Sequence, residues 1–254
     1  MKSKFTSAFF AGNRQRLKEH AGGATPIVLT ANGLLQRGAD GAYPFSQEAN
    51  FWYLTGINEP DITLVIDDDE EYLIVPERSD NRQAFDGSID NKSLTKVSGV
   101  KQIYSSEVGI TKVERRISTT KQIATTIVPL GYIDHLGLYT NPSRSRVINK
   151  LLEDNSDSRI VDLTLHLFRM RMIKQAPELA AIQNAIDITI ASIKDATAAK
   201  KRANYKFDHE LEAEVSFGFR KRGASGDSFQ PIVAAGKRAC VLHNFANSSP
   251  LKNN

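Results

Sequence analysis

Short apolar runs alternate with helix-periodic stretches as far as residue 155, and this alternation limits the fold more than any other feature of the chain. Ile27-Val28-Leu29, Ile62-Thr63-Leu64-Val65-Ile66, Tyr72-Leu73-Ile74-Val75 and Thr125-Thr126-Ile127-Val128-Pro129-Leu130 read as strands. Helical spacing covers residues 7–21, 106–119 and 142–153. In the first helix Phe9, Phe10, Asn13 and Leu17 share one face, which leaves Arg14, Arg16 and Lys18 for water. Gly22-Gly23 and then Pro26 stop it. Strands interleaved with helices predict an α/β domain with a mixed sheet.

Two stretches of this half invite a functional reading. Phe51-Trp52-Tyr53 puts three aromatics in one short element, which either anchors a core or lines a cleft; core packing is the expectation, because aromatics bury the most area per residue. Asp67-Asp68-Asp69-Glu70 lies between two strands and reads as a hairpin turn rather than a metal site, since turns favour Asp and like charges splay apart.

The pattern changes near residue 160. A long helix is expected from Pro177, with Leu179, Ile182, Ile186, Ile190 and Ile193 on one face. Asp208 is the expected N-cap of a second helix, which carries Leu211, Val215, Gly218 and Phe219 on one face and ends at Gly223. Residues 228–243 then read as an apolar strand, a turn at Gly236, a second apolar strand and His243 at its tip. The expected domains are 1–160 and 161–254, the second an incomplete α+β domain.

Composition removes several classes. At 254 residues there is room for one large domain or two small ones. The net charge is +4, but Lys and Arg are scattered with no basic stripe, which argues against nucleic acid as a partner. The single cysteine, Cys240, excludes an internal disulfide and a multi-cysteine zinc cluster, and its apolar surroundings predict a buried, inert thiol. The N-terminus lacks the apolar core of a secretory signal, and no run approaches the ~18 residues of a membrane span. The expected location is the cytoplasm, with no membrane partner.

With these segments in order, the chain resembles the bacterial Xaa-Pro aminopeptidases (aminopeptidase P). Phe9 through Leu17 looks like the family's opening helix. Phe51 through Gly56, with Gln47 before it and Glu59-Pro60-Asp61 after it, is similar to the signature of its N-terminal domain. Phe85-Asp86-Gly87 matches an aromatic-x-Gly step that usually has Trp, and Arg171 through Glu178 looks like the entry to the catalytic domain. Gly223-Ala224, Ser228-Phe229, Ile232-Val233-Ala234, Gly236 and Leu242-His243 match the first active-site strands.

The resemblance implies a pita-bread catalytic domain with two divalent ions, usually manganese, held by two Asp, one His and two Glu. All five ligands would follow the position of His243, so none is assigned in this chain, and the 254 residues alone are expected to be inactive. His243 matches an active-site His that is not a metal ligand and that contacts substrate or the reacting group. The implied substrates are peptides with proline at the second position, and the implied assembly is a homo-oligomer, a dimer or tetramer. Two positions depart from the family: Arg238 stands where Asn is usual, and Asn244 where an aromatic is. A non-catalytic pita-bread module that binds peptides or proteins is the alternative, as is a related prolidase or creatinase-type enzyme. His20, His135, His166 and His209 carry no metal spacing in sequence, and Asp208, Glu210, Glu212 and Glu214 read as a polar helix face.

Overall fold

The computed structural model describes residues 5–127, 135–245 and 248–251. They fall into two compact units, Phe5–Ile173 and the part of the chain from Lys174 onward.

The first unit is built on a mixed six-stranded sheet in the order β4-β3-β2-β1-β5-β6. Its strands are β1 (Ile27–Thr30), β2 (Thr63–Ile66), β3 (Glu71–Val75), β4 (Gln102–Ser105), β5 (Gln122–Thr125) and β6 (Arg159–Asp162). The pairs β1·β2 and β2·β3 are antiparallel, and β3·β4, β1·β5 and β5·β6 are parallel. The helices are α1 (Ser7–His20), α2 (Ala49–Thr55), α3 (Asp80–Asp86), α4 (Asn91–Ser98), α5 (Ser106–Thr120), α6 (Ser143–Glu153) and α7 (Thr164–Met172).

The continuous apolar runs follow from burial of both sheet faces. Ile27, Leu29, Leu64, Leu73 and Ala124 pack with Leu17 of α1, Phe51 and Leu54 of α2, and Leu167 and Met170 of α7. Val28, Val65, Tyr72, Ile74 and Ile123, offset by one residue, pack with Val113 and Ile117 of α5 and Leu151 of α6. The period of two thus divides one hydrophobic sequence between two cores. Phe51 and Tyr53 are core residues, and Trp52 meets Phe5 and Phe10 edge-on at 5.2 and 5.7 Å.

Two expectations for this unit are corrected. Arg14 does not face water: it is 1% exposed, while Arg16 and Lys18 are partly buried and hydrogen-bonded. The strand expected at residues 125–130 lies earlier, at Gln122–Thr125. Ile123 and Ala124 supply its two buried faces and the Thr125 hydroxyl donates to the Val28 carbonyl at 2.7 Å; residues 128–130 lie outside the described residues. The compact unit extends to Ile173, because β6 completes the sheet and Leu163, Leu167 and Met170 belong to its core.

The second unit holds α8 (Ala176–Ala196), a short α9 (Ala199–Arg202) and α10 (Asp208–Lys221). Glu178 accepts from the backbone N–H of Gln175 at 3.0 Å and fixes the start of α8, next to Pro177 in the first turn. The helices α8 and α10 cross at Gly218, where a Cβ would stand 2.8 Å from that of Ser192. Leu179, Ile182, Ile186, Ile190 and Ile193 are between 42% and 56% exposed, so the apolar face of α8 is largely open.

Candidate active-site segment

The segment carrying His243 leaves α10 through Gly223, whose φ of 90° only glycine adopts without strain. Arg220 donates to the carbonyls of Ala224 and Ser225, and Asp227 accepts from the Ser216 hydroxyl at 3.2 Å. These bonds turn the chain back along its helix.

The two strands expected between 228 and 243 do not form. Residues 228–235 are irregular, Gly236–Cys240 is a 3-10 turn, and His243 sits in a turn after it. A strand needs a ladder partner for its backbone, and a lone hairpin is marginal in water; the described part of this unit contains no strand that could supply one. Phe229, Val241 and Leu242 are accordingly exposed, Leu242 by 88%. Cys240 is exposed as well, not the buried thiol its apolar neighbours suggested.

His243 is exposed, and its imidazole stacks on Phe245 at 5.6 Å and 15°. Arg238 donates to the Ser248 hydroxyl at 3.1 Å, so this unusual cation is held by a residue beyond His243. Asn244, beside His243, is buried.

The chain after His243 is anchored to the start of α10. Asp208 donates its N–H to the Ser249 carbonyl and accepts from the Ser249 N–H, both at 3.0 Å. Leu251 donates to Lys206 at 2.8 Å, and Phe207 bridges to Pro250. Asp208 is therefore not the N-cap expected from sequence. It is the first residue of the helix, fully buried, and its carboxylate is committed to a segment 41 residues away. Glu210 starts the helix instead: its carboxylate accepts from the N–H groups of Phe207 and Lys206, which hold its pKa below the ordinary glutamate value.

Among the described residues no three His, Cys, Asp or Glu side chains converge to hold a metal ion. The acidic turn at 67–70 is engaged by cations of its own unit: Arg116 pairs with Asp67 at 2.8 Å and with Asp68, and Lys112 pairs with Glu70 at 2.7 Å. Lys112 also lies 5.7 Å from the rings of both Tyr72 and Tyr104. Burial, then the charges of Glu70 and Asp67, raise the Tyr72 pKa well above its usual value.

Sequence reasoning missed the Asp208–Ser249 clamp, which ties the start of α10 to the chain after His243. Its only sequence signal was an Asp at a helix start, which is more often a cap.

Residues 10–124 match the aminopeptidase P N-terminal domain family, and residues 180–254 match metallopeptidase family M24. The chain is 24% identical to the Xaa-Pro aminopeptidase of Escherichia coli K12 and 27% identical to that of Haemophilus influenzae, with 98% of the chain aligned to each. It is 26% identical to human Xaa-Pro aminopeptidase 3 over 89% of its length. It spans 57%, 56% and 45% of these relatives, about half the length of each. Among solved structures, zinc-substituted E. coli aminopeptidase P in complex with product superposes with a TM-score of 0.81 at 22% identity. Proline aminopeptidase P II from Yersinia pestis gives 0.80 at 21%. Each alignment covers 98% of this chain and 57% of the other, and shows the shared fold. An aminopeptidase P N-terminal domain joined in order to an M24 segment defines the chain's affiliation: it belongs to the aminopeptidase P family of M24 metallopeptidases.

Proposed function

We propose that this chain is the N-terminal domain and the opening of the catalytic domain of a Xaa-Pro aminopeptidase, an enzyme that releases the N-terminal residue preceding proline. The observation that carries the reading is the ordered match, across 98% of the chain, to relatives named for that activity. The bond before proline is a tertiary amide with no N–H to recognise and a fixed φ, so its cleavage needs a dedicated peptidase.

The relatives extend well beyond the stretch this chain spans. The reading assigns to that remainder the ligands of two divalent ions, with manganese the metal proposed, whose chemistry when bound is to activate water and polarise the scissile carbonyl. This chain contributes His243, an exposed imidazole on a turn, able to hydrogen-bond the peptide carbonyl region. The enzyme is proposed to act in the cytoplasm as a homo-oligomer.

The test compares the 254-residue chain with the product of the complete gene on short peptides with proline second. The full product should release the first residue when supplied with Mn2+, and the 254-residue chain should not. In the full product His243→Ala should lower kcat about a hundredfold with little change in fold. Absence of release by the full product would overturn the activity, and release by the 254-residue chain would overturn the assignment of the ligands.

A further inference from the structure

Asn32–Gly33 is the one Asn–Gly step in the sequence, and it lies just after β1. Asn is a thermolabile residue, most so before Gly, where the missing Cβ lets the next backbone nitrogen approach its side chain. That nitrogen loses its proton and attacks the Asn Cγ; the N–Cγ bond forms and ammonia leaves. Water then opens the cyclic imide and leaves Asp or isoaspartate. The change consumes one water and needs no other reagent.

In the folded unit both reacting groups are occupied. The Gly33 N–H donates to Asn141 Oδ1 at 3.0 Å, and Asn141 Nδ2 donates back to the Gly33 carbonyl at 2.7 Å, across 108 residues of sequence. The same Asn141 oxygen accepts from the Ser143 N–H at the start of α6, at 3.2 Å, which fixes the clamp. Asn32 Nδ2 donates to the Ser46 carbonyl at 2.8 Å. The Asn32 N–H is held by Gln47 and its carbonyl by the Asp61 N–H, both at 3.0 Å. Gly33 is buried so closely that a Cβ there would overlap Ser143 Oγ, so its peptide has no room to swing onto Asn32.

We propose that Asn32–Gly33 is a latent deamidation site, held unreactive by Asn141 while the first unit is folded and released when it opens. Loss of the fold then becomes an irreversible covalent change, because the product does not suit the folded site. A carboxylate at position 32 has no N–H for the Ser46 carbonyl and sets an oxygen against it. Its other oxygen takes the place of Asn32 Oδ1, which is buried with no donor among the described residues. Asp61 already brings one carboxylate to this step, its Oδ1 standing 2.6 Å from where a Gly33 Cβ would be.

The test ages the 254-residue chain at mildly alkaline pH, with and without guanidinium chloride. The tryptic peptide Glu19–Arg37, in which Asn32 is the only Asn, is then followed by mass spectrometry for the exchange of NH2 for OH. Asn32 should deamidate about a hundredfold or more faster in denaturant, because the folded chain reacts only through its opened fraction. Asn141→Ala should speed the reaction in buffer about tenfold or more, through the loss of two hydrogen bonds, and leave the rate in denaturant unchanged. Asn32→Asp, the product made directly, should lower the urea midpoint. Equal rates with and without denaturant would overturn the latent site, and an unaltered rate in Asn141→Ala would overturn the guard. A wild-type midpoint in Asn32→Asp would overturn the irreversibility. The comparison of rates needs no variant, so a variant that failed to fold would leave the test intact.

Discussion

Arg14 of α1 grips Glu71 at the start of β3 with two parallel hydrogen bonds, from Nε at 2.7 Å and from Nη2 at 2.8 Å. The same guanidinium donates Nη1 to the carbonyls of Leu54 at 2.7 Å and Ser98 at 3.0 Å, the last turns of α2 and α4. One buried cation therefore ties three helices to the sheet. Its charge is matched by a carboxylate and its donors by oxygens, the condition under which a buried arginine is tolerated.

Truncation of Arg14 leaves two buried carbonyls and a carboxylate without their donor. Arg14→Ala should destabilise the first unit by about 3 kcal/mol or more. Glu71→Gln should cost less, about 2 kcal/mol: Gln still accepts once but leaves the buried guanidinium without its counter-charge, and the third of the Glu71 side chain that stays in water softens the loss. Urea unfolding midpoints compare the two, and an equal loss in both would contradict the keystone role of Arg14.

Gly109 on α5 reverses the usual rule for a helical glycine. A Cβ there would stand 2.6 Å from Cγ1 and 2.9 Å from Cγ2 of Ile74, a buried β-branched side chain with little room to turn. Gly109→Ala would ordinarily stabilise a helix by up to about 1 kcal/mol. Here it should destabilise by about 1–3 kcal/mol through overpacking. Adding Ile74→Val should recover part of that loss, and thermal unfolding of the single and double variants reads the coupling.

Asp162 gives acid stability to the junction of β6 and α7. Burial pushes its pKa up, but bonds from the Thr164 hydroxyl, the Thr164 N–H at 2.9 Å and the Ile127 N–H at 3.1 Å outweigh it and leave the carboxyl lowered. A lowered folded pKa means stability that is full above the unfolded value of about 3.9 and lost as pH falls through the folded one. Asp162→Asn should flatten the fall in stability below pH ~4. Chemical denaturation at pH 3 and pH 7 measures it, and an unchanged acid limb would remove Asp162 from the account.

The half-exposed isoleucines of α8 predict association at raised concentration, since a contiguous apolar stripe seeks cover. Ile186→Lys with Ile190→Lys should reduce sedimentation of large species while leaving the helix content unchanged. Limited proteolysis should remove the part from Lys174 onward before it cuts the doubly covered sheet of Phe5–Ile173. Early loss of the sheet instead would reverse the order of stability.

Much of the first unit was legible because its signals are local. The apolar runs gave β1, β2 and β3, the glycines after α1 marked its end, and the spacing of Leu179 to Ile193 gave α8. The segment around His243 was legible as a motif and not as a structure. Its apolar residues have strand composition, but strand formation depends on a partner, which composition does not supply. Cys240 was misread for the same reason, because burial was inferred from neighbours that are themselves exposed.

The sequence by itself determined the long helices α1, α5, α6 and α8, the strands β1 to β3, the mixed sheet and the family, all of which rest on periodicity and ordered short motifs. Only the tertiary structure decided which charges go inside. Arg14 looks solvent-facing by helical spacing, and its acceptors lie 40, 57 and 84 residues away, so no local window contains the reason for its burial. The Asp208–Ser249 clamp and the meeting of His20 with His166 likewise exist only once distant segments are packed. A polar group's place is set by its partners, and partners of this kind are brought together by the fold.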